Sequence, residues 1–131
     1  MPAKLLWIDC TGGIVVGGIF LAANSWLAVW LGLPQLQVLI LGLANLSYGS
    51  CSLALAIRKR RPLELIRLLA VANVGWALIC YGLVAWYWTQ LSVFGVLHLV
   101  AEGVYVAVLG IVEWHYRHRL VLSGELRRAS R

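Results

Sequence analysis

Residues 92–114 read SVFGVLHLVAEGVYVAVLGIVEW. A bilayer-spanning helix needs about 20 predominantly apolar residues, and this run supplies them with only His98, Glu102 and Glu113 as acidic or basic side chains. Three further runs of that kind precede it. The spans read as Cys10–Leu31, Leu36–Ile57, Leu63–Trp88 and Ser92–Trp114. Gly32-Leu33-Pro34 ends the first, because proline cannot continue a helix and restrains the residue before it. Arg58-Lys59-Arg60-Arg61 ends the second, and Pro62 suits the first turn of the third. Thr89-Gln90 marks a tight turn before Ser92. The first run carries Asp9 and Cys10 at its start and stays apolar to Leu33, so it is read as a span rather than a cleaved signal.

Composition agrees. Hydrophobic residues make up 62% of the 131 and charged residues only 12%, about half the charged share of a soluble domain. The net charge of +6 lies in clusters between apolar runs, a membrane pattern rather than a nucleic-acid footprint. The expected fold is all-α: an integral membrane protein whose four transmembrane helices form two antiparallel hairpins in a compact four-helix bundle, residues 1–114, followed by a basic tail, 115–131.

All 11 Lys and Arg residues fall in the N-terminus, the middle loop, its edge at Arg67, or the C-terminal tail. The positive-inside rule therefore predicts cytoplasmic termini, with a bacterial inner (plasma) membrane as the expected location. Trp7 and Trp114 mark the inner boundary and Trp26, Trp30, Trp86 and Trp88 the outer one, as interfacial anchors do. The expected partners are the bilayer, anionic head groups at the basic face, and either a parallel homo-oligomer or a larger membrane complex. The tail, with Leu120-Val121-Leu122 and Leu126 among arginines, is expected on the inner leaflet.

The informative residues are polar ones a bilayer rejects. At 1.5 Å of rise per residue, Asn45, Asn73 and Glu102 fall within roughly 5 Å of the midplane. Asn24, Cys80 and His98 fall about one turn further out. Helical phase gathers them: His98, Glu102, Tyr105, Glu113 and Tyr116 form one stripe, Asn45, Tyr48, Gly49 and Ser52 another, and Asn73, Trp76, Ala77 and Cys80 a third. The first helix offers Gly13, Gly17, Asn24 and Ala28, with Gly13/Gly17 a GxxxG pair that permits close helix approach. Ala44-Asn45, Ala72-Asn73 and Ala101-Glu102 each precede an aromatic residue by three, a pattern too short to establish a repeat.

An ionised carboxylate at mid-bilayer costs several kcal/mol or more. The expected resting Glu102 is therefore protonated and bonded to Asn45, Asn73 or Tyr48, with His98 one turn away as a relay. Asp9, Glu64 and Glu113 are expected at the basic boundary as solvated partners of arginines, Glu64 facing Arg67. The candidate proton-exchange or solute-binding residues are thus Glu102, His98, Asn45, Asn73, Asn24, Tyr48, Tyr105 and Trp76, with Gly13 and Gly17 packing helices.

No nucleotide loop, catalytic triad or cofactor motif is present, so no enzyme activity and no cofactor is expected. Three functions fit: an oligomeric channel or proton-linked carrier of a small solute or ion, a non-catalytic accessory or assembly subunit, and a metal or enzymatic site at His98/Glu102 with Cys80 as a third ligand.

Overall fold

The computed structural model describes residues 2–122. Its elements are helices: α1 (Pro2–Ala22), α2 (Asn24–Leu31), α3 (Gln35–Ala56), α4 (Leu63–Trp86), α5 (Val93–His115) and α6 (Arg117–Leu122). Four stretches are long and apolar enough to cross a membrane: Lys4–Ala22, Gln35–Ala56, Leu63–Trp86 and Val93–His115.

The last three match the sequence reading closely, but the first is displaced. Its crossing segment begins at Lys4 rather than Cys10 and stops at Ala22, and residues 24–31 form a separate short helix. Ala23 leaves the helical region (φ −112°, ψ 27°), and the Asn24 side-chain amide donates to the Leu21 carbonyl at 2.7 Å. Asparagine offers the backbone this kind of local alternative to a continuous helix. The shift carries Asp9 into the first span and moves Asn24 to its far end.

Outside and inside are inverted relative to a soluble protein. Leu36, Leu68, Leu78, Leu97 and Ile111 are more than half exposed, while Asp9, Asn45, Ser52, Asn73 and Glu113 are buried. An apolar exterior of this extent suits lipid rather than water. Trp26 and Trp30 stack at 5.0 Å, and Trp30 meets Phe94 at 4.7 Å. At the basic end, the Arg117 guanidinium sits 4.8 Å over Trp114.

α1 packs along α3, and α4 along α5. The first pair is close because Gly13 lies against Gly49 and Gly17 against Leu46: a Cβ at Gly17 would stand 2.5 Å from the Leu46 amide nitrogen and 2.8 Å from the Gly42 carbonyl. As residue numbers rise along α1, their partners on α3 fall. In the second pair, Gly103 faces the Tyr81 ring and Gly110 the Ala70 carbonyl.

The interior is layered. Phe20, Leu31, Leu33, Val38, Leu41, Cys80 and Leu99 form an apolar cluster toward one end. Leu6, Leu55, Ala56, Ile66, Leu69 and Leu120 form another toward the basic end. Along α3 the order is Leu41, then Asn45, Tyr48 and Ser52, then Leu55; along α4 it is Leu69, then Asn73 and Trp76, then Cys80. A polar layer is thus held between two apolar ones.

Each end is fastened. Gly32 ends α2 in the left-handed region (φ 72°), which glycine adopts without steric cost. Beside it, the Ser92 N–H donates to the Leu31 carbonyl at 3.0 Å and the Ser92 hydroxyl to the Trp30 carbonyl at 2.5 Å. The same hydroxyl accepts the Gly95 N–H, capping α5. At the basic end, Arg61 donates to the carbonyls of Leu55 (2.9 Å), Ala56 (3.0 Å) and Leu120 (3.3 Å). Two of these are at the C-terminus of α3, where carbonyls lack helical partners and a cation is favoured. Burial pushes the guanidinium pKa below its ordinary value. Glu64 and Arg67 form the expected exposed pair at 2.9 Å.

Leu120 departs from the inner-leaflet expectation. It is fully buried, inserted between residues of α1, α3 and α4, because the turn at Tyr116 folds α6 back onto the bundle. Leu126, Arg127, Arg128 and Arg131 lie outside the described residues.

Candidate functional site

Glu102 sits on the inward side of α5 among hydrogen-bond donors. Its Oε1 accepts from the Trp76 indole N–H at 2.8 Å and from the Asn45 amide at 3.1 Å. Its Oε2 lies 2.9 Å from Nε2 of His98, one turn earlier. That approach is off the direction a ring N–H takes, so it is a close ion-pair contact rather than a straight hydrogen bond. The His98 ring also packs on Phe20, centroids 5.1 Å apart.

Of the alternatives Asn45, Asn73 and Tyr48, Asn45 bonds Glu102; His98 stands beside it one turn away, and Trp76 is a further donor. Asn45 and Trp76 present N–H groups, so Oε1 is an acceptor in both bonds. With the imidazole protonated and the carboxyl ionised, the pair carries no net charge, which removes most of the cost of a lone buried charge.

Asn73 and Tyr48 serve a second cluster. Asp9 Oδ2 accepts from the Tyr48 hydroxyl at 2.6 Å and the Ser52 hydroxyl at 2.7 Å. Asn73 donates to Glu113 Oε2 at 3.0 Å and, like Asp9, lines the cavity described below. Asp9 is 2% exposed and Glu113 fully buried, which corrects the expectation that they are solvated boundary residues. The displaced first helix carries Asp9 inward, and α5 turns Glu113 toward Asn73 instead of toward the arginines. Glu113 Oε1 is buried without a hydrogen-bond partner. Sequence reasoning undervalued these two carboxylates, although Glu113 lies three turns from Glu102 on the same stripe.

Asn24 lies apart, and Tyr105 stands at the bundle surface. Asn24 is at the α1–α2 break, where its Oδ1 accepts from Gln35 at 2.6 Å, and it does not join Glu102. Tyr105 is 42% exposed and donates to the Ile8 carbonyl at 3.2 Å, linking α5 to α1. Cys10, Cys51 and Cys80 are free thiols. Among the described residues no three His, Cys, Asp or Glu side chains converge as metal ligands, so Cys80 does not complete a site with His98 and Glu102.

Between the clusters lies a cavity of about 160 Å³, lined from α1, α3, α4 and α5. Asp9 and Glu102 contribute its carboxylates and Asn45 and Asn73 its amides. Tyr48, Trp76 and Tyr105 supply aromatic walls. Asp9, Asn45 and Asn73 are buried while Ala72 and Tyr105, also lining residues, are exposed, so the cavity extends from the bundle surface to its axis. No protein-family model matches this chain, and neither a characterised protein nor a solved structure shows significant similarity to it.

Proposed function

We propose that the protein is a small membrane carrier that moves a solute by proton exchange at Glu102. In this reading two antiparallel hairpins close into a compact bundle, with both termini on the cytoplasmic side of a bacterial inner membrane. The orientation rests on the gathering of the basic residues toward one side of the spans. That bias also favours parallel over dual insertion in any oligomer.

One observation carries the reading: Glu102, with Oε2 2.9 Å from Nε2 of His98, lines a cavity within the membrane-spanning helices. Intramembrane carboxylates are costly and mark ion or proton pathways by default. The apolar clusters on either side of the polar layer favour a carrier that alternates its access over an open channel.

The test uses full-length protein in proteoliposomes with an acid interior and an enclosed pH-sensitive dye. Adding a transported solute outside should drive proton efflux. Glu102→Gln should abolish it, with helix content and detergent unfolding unchanged. Flux in Glu102→Gln equal to that of the parent protein would overturn the reading. The alternative is a non-catalytic accessory subunit. Since α3 already fills the Gly13/Gly17 face of α1, a partner would dock on the basic end, and Glu102→Gln would leave assembly intact.

A further inference from the structure

From the cavity lining we infer that the transported solute is a compact organic ammonium ion, bound between Asp9 and Glu102. The inference rests on the carrier reading for transport, but binding stands on the lining itself.

Charge comes first. Asp9 and Glu102 are the acidic residues that line the cavity, and among the described residues no lysine, arginine or histidine lines it. Glu102 has His98 as its ion-pair partner. Asp9, 2% exposed, accepts from two neutral hydroxyls and pairs with no basic side chain among the described residues. An anionic solute would meet two carboxylates in a lining without a basic side chain, and Asp9 has no ion-pair partner among the described residues to offset it. A cation would supply Asp9 with the counter-charge that buried carboxylates require.

The walls narrow the kind of cation. Calcium and magnesium take about six or more oxygen ligands. Here Gly13, Val16, Ala44 and Val106 present carbon, and no metal-ligand cluster forms among the described residues. Tyr48, Trp76 and Tyr105 suit a cation with an apolar skin, which gains from aromatic faces about 0.5–2 kcal/mol per contact. Size sets the limit: a cavity of about 150 Å³ holds benzene, so this one admits a solute of about six non-hydrogen atoms by the same measure.

The experiment is calorimetric titration of the full-length, detergent-solubilised protein with tetramethylammonium, its uncharged analogue tert-butanol, and sodium. Saturable binding of tetramethylammonium is expected, with no binding of the other two at equal concentration. Asp9→Asn should weaken it ~30-fold or more, the effect of unpairing a buried charge. Ala44→Leu, which fills the cavity and leaves both carboxylates, should abolish it. Leu97→Ala, on the lipid-facing surface, should not change it. If Asp9→Asn does not fold, Ala44→Leu decides. Absence of tetramethylammonium binding by the folded parent protein, or equal affinity in Ala44→Leu, would overturn the inference, as would tert-butanol binding as tightly.

The same protein in proteoliposomes separates the two readings. Tetramethylammonium binding without proton efflux would refute the carrier and leave the cation site standing. Proton efflux driven only by a neutral or anionic solute would support the carrier and refute the cation.

Discussion

Replacing Gly17 and Gly18 one at a time with alanine adds the same methyl group to adjacent residues of α1 in opposite surroundings. At Gly17 the new Cβ would meet the Leu46 amide nitrogen at 2.5 Å, the Gly42 carbonyl at 2.8 Å and the Leu46 Cα at 2.9 Å. All three are backbone atoms, so no rotamer change relieves the clash and α1 must move off α3. Overpacking of this kind costs about 1–3 kcal/mol. At Gly18 nothing lies within 4 Å, and alanine should gain about 0.5–1 kcal/mol from lower backbone entropy in the unfolded chain. The two variants should therefore differ by about 1.5–4 kcal/mol, with opposite signs. Reversible unfolding in mixed micelles of rising SDS fraction, followed by circular dichroism, gives both values. If Gly17→Ala and Gly18→Ala agree within about 0.5 kcal/mol, the close crossing of α1 and α3 is wrong.

Other substitutions probe the polar layer and the ends. Glu113→Gln gives an amide donor to a side chain that has one buried oxygen unpartnered and a second carboxylate nearby; stability should hold or rise by up to ~1 kcal/mol, and a loss above that in the same SDS titration would count against the buried carboxylate pair. Ser92→Ala removes both the cap of α5 and the bond to Trp30. It should cost about 1–2 kcal/mol and speed hydrogen exchange of the amides at 93–96, whereas unchanged exchange there would refute the capping role. Arg61→Met removes donors to three backbone carbonyls. It should release α6 to proteolysis at 117–122, and resistance equal to that of the parent chain would show that Leu120 alone holds it.

Three spans were legible because their ends carry strong chemistry: Pro34 before α3, the arginine run and Pro62 before α4, and the Thr89-Gln90 turn ahead of Ser92 and α5. The buried faces were legible too, since Asn45, Gly49 and Ser52 on α3 and Asn73, Ala77 and Cys80 on α4 recur at helical spacing and are all buried. The break at Ala23 was not. It falls within an apolar run, without proline or glycine, and depends on a side-chain bond made by Asn24. That single error of register placed Asp9 outside the span and Asn24 within it. Helical phase identified the face carrying Glu102, but not which donors would reach it: Trp76 donates to Glu102 while Tyr48 donates to Asp9, a choice of partner across helices that spacing does not select.

The fastenings at the two ends limit how this chain can move. The α2–α3 and α4–α5 turns are joined through one serine, and the opposite ends meet around Leu120. While both hold, the pairs α1/α3 and α4/α5 stay tied together at each end of the polar layer. If the contact at Leu120 yields first, the pairs swing about Ser92 and open toward the basic side; if the serine yields first, they swing the other way about Leu120. In the proposed carrier, one hydroxyl and one leucine would thus serve as alternate hinges, and the relative strength of these two contacts would set the side to which the molecule opens at rest.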